Sequence, residues 1–159
     1  MESKIRAIIL TVSDTRSKDN DLSGDILAKL VLESGGEIID RIIVSDDFEN
    51  LYETLYSLTE TEANLILTTG GTGFAPRDNT PEATRAVIDK ETPGISEAMR
   101  YETMKSTRFA MLSRGVSGIR NDTMIVNLPG SPKGAEECFQ VIRDILPHAV
   151  KLISGDTKH

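Results

Sequence analysis

Short apolar runs alternate with segments of helical spacing along the first half of the chain. Residues 5–12 are a continuous, β-branched run that is typical of a strand covered on both faces. Residues 22–34 instead repeat apolar side chains at helical spacing and end at two glycines. Residues 38–44 and 65–69 indicate two further strands, with a helix between them. This alternation predicts right-handed crossovers and a largely parallel sheet.

The second half of the chain is less regular. The pattern predicts a helix from Pro81 to about residue 89 and another over about residues 95–105. Residues 116–119 and 124–128 predict a hairpin around a three-residue turn without glycine. A last helix is predicted over residues 135–153, kinked or split by Pro147. The expected fold is a single α/β domain over residues 1–159, with helices on both faces of a mostly parallel, mixed sheet and a loose tail at 155–159.

Composition narrows the classes of function that the chain can have. The 159 residues carry a formal charge of −7, which argues against sequence-independent binding to nucleic acid. A phosphorylated substrate would therefore have to be met by a few placed cations, because the overall field repels it. Cys138 is the single cysteine, which excludes an intrachain disulfide and favours a buried structural thiol.

No feature of the sequence indicates membrane targeting. The apolar stretch near the N-terminus is too short for a signal peptide, and Asp14 and Arg16 follow it at once. No stretch approaches the roughly 20 apolar residues of a membrane span. We expect a cytoplasmic protein without a membrane partner.

A glycine-rich loop after the third predicted strand is the most informative motif. Gly70, Gly71 and Gly73 are followed by Asp78 and by a helix start with Thr80 as the expected N-cap. Successive backbone N–H groups beside a helix N-terminus form an anion site, and an aspartate next to bound phosphate is a natural magnesium ligand. The loop matches neither a Walker A motif nor a dinucleotide fingerprint. It predicts a nucleotide or phosphoester site.

Four polar loops follow the predicted strands, at residues 13–21, 45–47, 70–80 and 129–133. Ligands of open parallel sheets bind at the carboxyl ends of the strands, so we expect the site at this edge. Asp78 and either Asp46 or Asp47 would converge there on one magnesium ion, although Asp46 and Asp78 are also candidate helix caps.

Three further positions have both a functional and a structural interpretation. Lys133 is either a phosphate contact or a solvated lysine at a helix start. Arg114, after Ser113, either binds a phosphate or carboxylate group or forms a surface ion pair. Glu97 is either a ligand to a polar group or a surface charge on a helix.

Six blocks occur in an order that resembles a known family. They are Thr11-Val-Ser13-Asp14, Thr69-Gly-Gly-Thr-Gly73, Arg77-Asp-x-Thr-Pro-Glu82, Pro93-Gly-x-x-Glu97, Ser113-Arg114 and Asn127-Leu-Pro-Gly-Ser-Pro-Lys133. Together they closely resemble the MogA/MoaB family of molybdenum cofactor biosynthesis, which includes the gephyrin G domain. The resemblance covers nearly the whole chain, and the block over residues 69–82 is highly specific.

The resemblance implies a fold, an activity and a set of site residues. It implies a single α/β domain that assembles as a homotrimer, with a hexamer as the alternative. It also implies adenylation of molybdopterin by ATP with Mg²⁺, catalysed by Asp78 and Asp46, and hand-over of the product to a molybdate-inserting protein. A molybdopterin-binding or scaffold protein without adenylation activity is the competing interpretation. The expected substrate-binding residues are Ser13, Asp14, Gly70, Gly71, Thr72, Gly73, Arg77, Thr80, Glu97, Ser113, Arg114, Pro129, Gly130, Ser131 and Lys133.

Overall fold

Six strands form one mixed sheet in the computed structural model, which describes residues 3–157. The strands are β1 (Arg6–Val12), β2 (Glu37–Val44), β3 (Leu65–Thr69), β4 (Lys90–Glu91), β5 (Ser117–Arg120) and β6 (Thr123–Leu128). The helices are α1 (Leu22–Glu33), α2 (Phe48–Leu58), α3 (Thr80–Val87), α4 (Pro93–Thr103), α5 (Pro132–Ile142) and α6 (Leu146–Ile153). A 3₁₀ segment spans Arg108–Leu112. The fold is the predicted α/β sandwich of three layers.

The sheet order β2-β1-β3-β6-β5-β4 determines where a site can form. Strands β2, β1, β3 and β6 are parallel, so their carboxyl ends share one edge, whereas β5 is antiparallel to β6. The chain leaves β1 toward β2 and then returns to add β3 on the other side of β1. This reversal opens a crevice between the loops that follow β1 and β3, which is where open sheets bind ligands.

Alternate side chains of β1 enter two separate apolar clusters. Ala7 and Ile9 pack with α1, α4, α5 and α6 on one face of the sheet. Ile8 and Leu10 pack with α2 and α3 on the other face. Burial on both faces explains the unbroken apolar run of this strand and holds the ends of the parallel strands in fixed positions.

The structure differs from the sequence prediction at several element boundaries. Asn79, not Thr80, is the N-cap residue of α3, because Thr80 already lies in the helix. The predicted last helix is split into α5 and α6, with Pro147 at the start of α6, as the sequence suggested. Asn121 turns the β5–β6 hairpin with a φ of 51°, which replaces the missing glycine. The short strand β4 and the 3₁₀ segment were not predicted.

The structure also bears on the predicted tail and on the predicted lack of a membrane span. The predicted loose tail extends to Lys158 and His159, which lie outside the described residues. Over residues 3–157, every helix is too short or too polar to cross a bilayer.

Candidate active site

The glycine-rich loop adopts a backbone conformation that few other residues allow. Gly70 and Gly71 have φ angles of +103° and +70°, in the left-handed region that favours glycine. Thr80 fixes the loop from α3: its hydroxyl donates to the Gly70 carbonyl at 2.9 Å, and its N–H donates to the Gly71 carbonyl at 3.1 Å. The helix start thus holds the turn that precedes it.

Three successive N–H groups of this loop are available to a ligand. Within residues 3–157, no hydrogen bond engages the N–H of Gly71, Thr72 or Gly73. Successive backbone N–H groups that have no protein partner can form an anion-binding concavity. The loop is therefore able to hold phosphate oxygens.

The loop after β6 packs directly against the glycine-rich loop. A Cβ atom on Gly130 would lie 3.2 Å from the Cα of Gly70, so the two backbones are in close contact. The Thr69 hydroxyl donates to the Pro129 carbonyl at 2.7 Å, and Ser131 caps α5 by accepting from the Gly134 N–H at 3.1 Å. The two loops form one continuous surface at the carboxyl edge of the sheet.

Asp46 and Asp47, which the sequence could not separate, have different positions. The Asp47 carboxylate caps α2 by accepting from the Asn50 N–H at 3.1 Å. Asp46 instead faces the glycine-rich loop, with Oδ1 3.3 Å from the place that a Cβ on Gly71 would occupy. Capping therefore accounts for Asp47 and leaves the Asp46 carboxylate for the site.

Asp78 approaches the same loop from its other end. Its Oδ2 accepts from the Ala75 N–H at 2.9 Å and lies 2.9 Å from the place of a Cβ on Gly73. Burial raises the pKa of Asp46, and the nearby charges of Asp14 and Asp78 raise it further. The charge of Asp78 thus reaches the Asp46 carboxylate across the glycine-rich loop.

This pair of carboxylates fits a magnesium ion. Mg²⁺ is commonly bound by one or two carboxylates, with waters and substrate phosphates as its other ligands. No group of three metal-binding side chains occurs among the described residues, so protein groups alone do not form a closed site. Two carboxylates beside three available N–H groups suit a metal that arrives with a phosphorylated substrate.

Arg77 and Asp14 form a second charged feature at this edge. The Arg77 guanidinium donates twice to the Asp14 carboxylate, at 2.7 and 2.9 Å. Asp14 also accepts from the Asp46 N–H at 3.1 Å. Hydrogen bonding by Arg77 lowers the pKa of Asp14, which stays ionised beside the pair of catalytic candidates. The loop after β1 is therefore connected to the loops after β2 and β3.

Arg114 is engaged by the protein itself. Its guanidinium donates to the carbonyls of Gly73 and Asp78, both at 2.8 Å, and forms a double contact with Glu82 at 2.7 and 3.1 Å. Hydrogen bonding by Arg114 lowers the pKa of Glu82. The ion pair, one of the two interpretations that the sequence left open, is present in the structure.

A cavity of about 390 Å³ adjoins the glycine-rich loop. Its lining contains eight of the expected residues: Gly71, Thr72, Gly73, Asp78, Ser113, Pro129, Gly130 and Ser131. It also contains apolar side chains, among them Met99, Phe109 and Leu112. Cys138 also lines the cavity, and burial raises the pKa of its thiol to about 11. The cavity therefore suits a ligand that has both an anionic and an apolar part.

Other expected residues lie outside the cavity lining. Lys133 is exposed and pairs loosely with Glu137 at 3.9 Å. Glu97 is exposed on α4. Ser13 shapes its own loop by accepting from the N–H groups of Thr15 and Arg16 at 3.1 Å. These three residues do not line the cavity.

Two residues that organise this edge could not be predicted from the sequence. The Ser23 hydroxyl donates to the Gly130 carbonyl at 2.6 Å, and the Arg16 side chain donates to Ser23 at 3.0 Å. Ser23 lies on α1, more than a hundred positions before Gly130, so no local pattern could have indicated the contact. In the sequence, Arg16 is one charged residue of a polar loop, and nothing there predicts its contact with Ser23.

Comparison with known proteins gives consistent results. A family model described as a probable molybdopterin binding domain matches residues 8–148. The chain is 47% identical over 153 residues to the molybdenum cofactor synthesis protein cinnamon of Drosophila melanogaster, covering 93% of this chain but only 25% of that relative. It is 38% identical to the molybdopterin adenylyltransferase of Helicobacter pylori (strain J99), covering 93% of this chain and 87% of the relative.

A solved structure agrees with these sequence relatives. The molybdopterin biosynthesis enzyme MoaB of Thermus thermophilus superposes with a TM-score of 0.87 at 42% identity, covering 95% of this chain and 97% of that one. The architecture described above is therefore shared along almost the full length of both chains.

Proposed function

This chain belongs to the family of probable molybdopterin binding domains of molybdenum cofactor biosynthesis, and we propose that it is a molybdopterin adenylyltransferase. Relatives of similar length are named as nucleotidyltransferases, so an enzymatic role follows for this chain. The observation that carries the proposal is the placement of Asp46 and Asp78 at either end of a loop with three available N–H groups.

The reaction joins two anions. The terminal phosphate of molybdopterin attacks the α-phosphorus of ATP, an oxygen–phosphorus bond forms, and pyrophosphate leaves. A phosphate monoester has a second pKa near ~6, so this nucleophile is largely ionised at neutral pH without a strong general base. Among the described residues, those that line the cavity include no histidine, in keeping with this requirement. Bringing the two reactants together is the main difficulty.

The residues of the carboxyl edge are suited to that task. Asp46 and Asp78 would hold Mg²⁺, which supplies charge neutralisation between the two reactants. The N–H groups of Gly71, Thr72 and Gly73 would bind phosphate oxygens and align them, as positioning dominates other phosphoryl transfers. The apolar side chains of the cavity, among them Met99, Phe109 and Leu112, would contact a flat heterocycle of one substrate. Four further expected residues would contact substrates in the cavity: Ser113, Pro129, Gly130 and Ser131. Gly70 and Thr80 would shape the phosphate-binding loop, and five residues would contact substrates from outside the cavity lining: Ser13, Asp14, Arg77, Glu97 and Lys133.

An isosteric exchange tests the proposal. Asp78→Asn keeps the shape of the side chain and removes its charge, so we expect pyrophosphate release to fall at least ~100-fold, as is typical when one catalytic electrostatic contact is lost. Molybdopterin binding should persist. Pyrophosphate is measured with ATP, Mg²⁺ and molybdopterin, alongside binding of molybdopterin alone.

Asp47→Asn is the matched control. It makes the same exchange next to Asp46, but at a residue that caps α2, so activity should remain near that of the unmodified protein. Normal turnover by Asp78→Asn would refute the catalytic assignment. Molybdopterin binding without any pyrophosphate release by the unmodified protein would support the binding or scaffold role instead.

The same family membership leads us to propose the assembly and setting of the protein. We propose a homotrimer, with a hexamer as the alternative, in the cytoplasm. The adenylated product would pass to a molybdate-inserting protein, because an activated phosphoanhydride is best consumed without release into water.

A further inference from the structure

Arg114 connects both ends of the segment that carries Asp78. Its Nε donates to the Gly73 carbonyl, where this segment begins, and its Nη2 donates to the Asp78 carbonyl, where it ends. Both distances are 2.8 Å. The Arg114 N–H also donates to the Thr72 carbonyl at 2.8 Å. One residue therefore fixes the span of the loop from Thr72 to Asp78.

Glu82 holds the guanidinium in this orientation. Its two carboxylate oxygens accept from Nη1 and Nη2 at 2.7 and 3.1 Å, a paired geometry that gives direction as well as strength. Glu82 lies in the first turn of α3, so the contact also ties the loop to the helix that follows it. Loop, helix and the segment before β5 meet at this arginine.

The guanidinium has little capacity left for a substrate. A guanidinium carries five N–H donors, and the contacts with Gly73, Asp78 and Glu82 use four of them. Arg114 is also missing from the cavity lining, although its neighbour Ser113 is part of it. These observations separate Arg114 from the residues that would contact substrate.

We propose that Arg114, oriented by Glu82, is a positioning residue that sets the distance of the Asp78 carboxylate from Asp46. This role rests on the proposed function, since it takes Asp78 as a magnesium ligand. A lysine would keep the charge but lose the planar fork, so it is unable to bridge two carbonyls and a carboxylate at once. Outer residues that orient a metal ligand typically change metal affinity about 10–100-fold when they are replaced.

The experiment measures divalent-metal binding by the full chain without any reaction. Mn²⁺ binding is followed by electron paramagnetic resonance, and Mg²⁺ binding by competition with Mn²⁺. We expect Arg114→Lys and Glu82→Gln each to weaken Mn²⁺ binding about 10-fold or more. In turnover, both variants should lower kcat while the KM for molybdopterin stays near that of the unmodified protein.

Arg120→Lys is the matched control. Arg120 also forms an arginine–glutamate pair, since its side chain lies 3.2 Å from that of Glu60. This pair lies at the turn between β5 and β6, where β6 begins, and so away from the carboxyl edge of the sheet. It should lower the melting temperature without changing Mn²⁺ affinity. The melting temperature is expected to fall in Arg114→Lys, Glu82→Gln and Arg120→Lys alike if only stability is affected. The affinity for Mn²⁺ should fall only in the first two variants if Arg114 positions Asp78.

Two results would overturn the proposal. Unchanged Mn²⁺ affinity in Arg114→Lys, despite a lower melting temperature, would make the residue merely structural. A raised KM with unchanged kcat and metal affinity would make it a direct substrate contact. Failure of the adenylation proposal looks different: the unmodified protein would bind Mn²⁺ in an Asp78-dependent manner and release no pyrophosphate. Absence of Asp78-dependent metal binding would refute the positioning role itself.

Discussion

Asp46 occupies a position that opposes its own ionisation. Burial and the charges of Asp14 and Asp78 raise its pKa above the usual range for an aspartate. A carboxyl group whose pKa is higher in the folded than in the unfolded protein lowers stability when it is charged, at any pH above that folded value. Such unfavourable charge is typical of functional sites.

Removing this charge should therefore stabilise the protein. At pH 7 without divalent metal, we expect Asp46→Asn to raise the melting temperature, because the exchange removes the unfavourable charge. Calorimetry provides the measurement, and Mg²⁺ with ATP should narrow the difference by neutralising the native carboxylate. Asp47→Asn makes the same exchange at a helix cap and should leave the melting temperature nearly unchanged, because asparagine caps a helix about as well as aspartate. A lower melting temperature for Asp46→Asn would contradict the electrostatic account of the site.

At the scale of elements, the glycine-rich loop depends on backbone conformation as much as on contacts. Gly71 has a φ of +70°, and a Cβ atom there would collide with the Thr80 hydroxyl that fixes the loop. Gly71→Ala should cost at least about 1–2 kcal/mol of unfolding free energy, the penalty of a left-handed conformation alone. Urea unfolding followed by circular dichroism measures the loss.

Gly94 offers a matched comparison for this exchange. It lies in the first turn of α4, and a Cβ atom there would have no neighbour within 4 Å among the described residues. Gly94→Ala should leave the free energy of unfolding unchanged or raise it by up to about 1 kcal/mol, since alanine is the better helix former. Equal losses for the two variants would mean that the loop conformation is not the cause.

Elements that bury an apolar face could be predicted from the sequence, and the others could not. The predicted bounds of β3 agree with the observed ones. All five of its residues are buried, and a strand that is buried along its whole length is visible in the sequence as a short apolar run. Strand β4 was missed because its two residues, Lys90 and Glu91, are polar and exposed. The 3₁₀ segment was missed because Phe109 and Met111 are largely exposed, so their spacing follows no helix face.

The site shows the same division between local and distant information. The order of strands and polar loops predicted its edge, since parallel strands must end together. The different contacts of Asp46 and Asp47, of which only Asp47 caps α2 through Asn50, are not encoded by spacing. The contacts of Arg114 were also hidden, because their acceptors lie 32–41 positions earlier in the chain.

At the scale of the whole molecule, net charge and substrate charge have the same sign. The formal charge of −7 repels phosphorylated ligands at long range, while Arg77 and the loop N–H groups act only at close range. Screening of this repulsion by salt should therefore speed the association of phosphorylated ligands with the protein. The Debye length falls from about 30 Å at 0.01 M to about 8 Å at 0.15 M ionic strength.

We expect the association rate constant of ATP with Mg²⁺ to rise severalfold over that range of ionic strength. Stopped-flow binding measures it, and uncharged adenosine serves as the control whose rate should stay constant. A rate that instead falls with salt would mean that local cations, not the net charge, govern the approach of the nucleotide.

The insertion of β6 between β3 and β5 has a consequence for synthesis on the ribosome. A nascent chain that has emerged only to residue 122 leaves one side of β3 without its neighbour, since β6 begins at Thr123. Exposed strand edges of this kind invite wrong pairing, so the unfinished polypeptide is the form most in need of a chaperone. The same late strand leads into the loop at residues 129–133, so a nascent chain completes this edge of the sheet only after β6 has emerged.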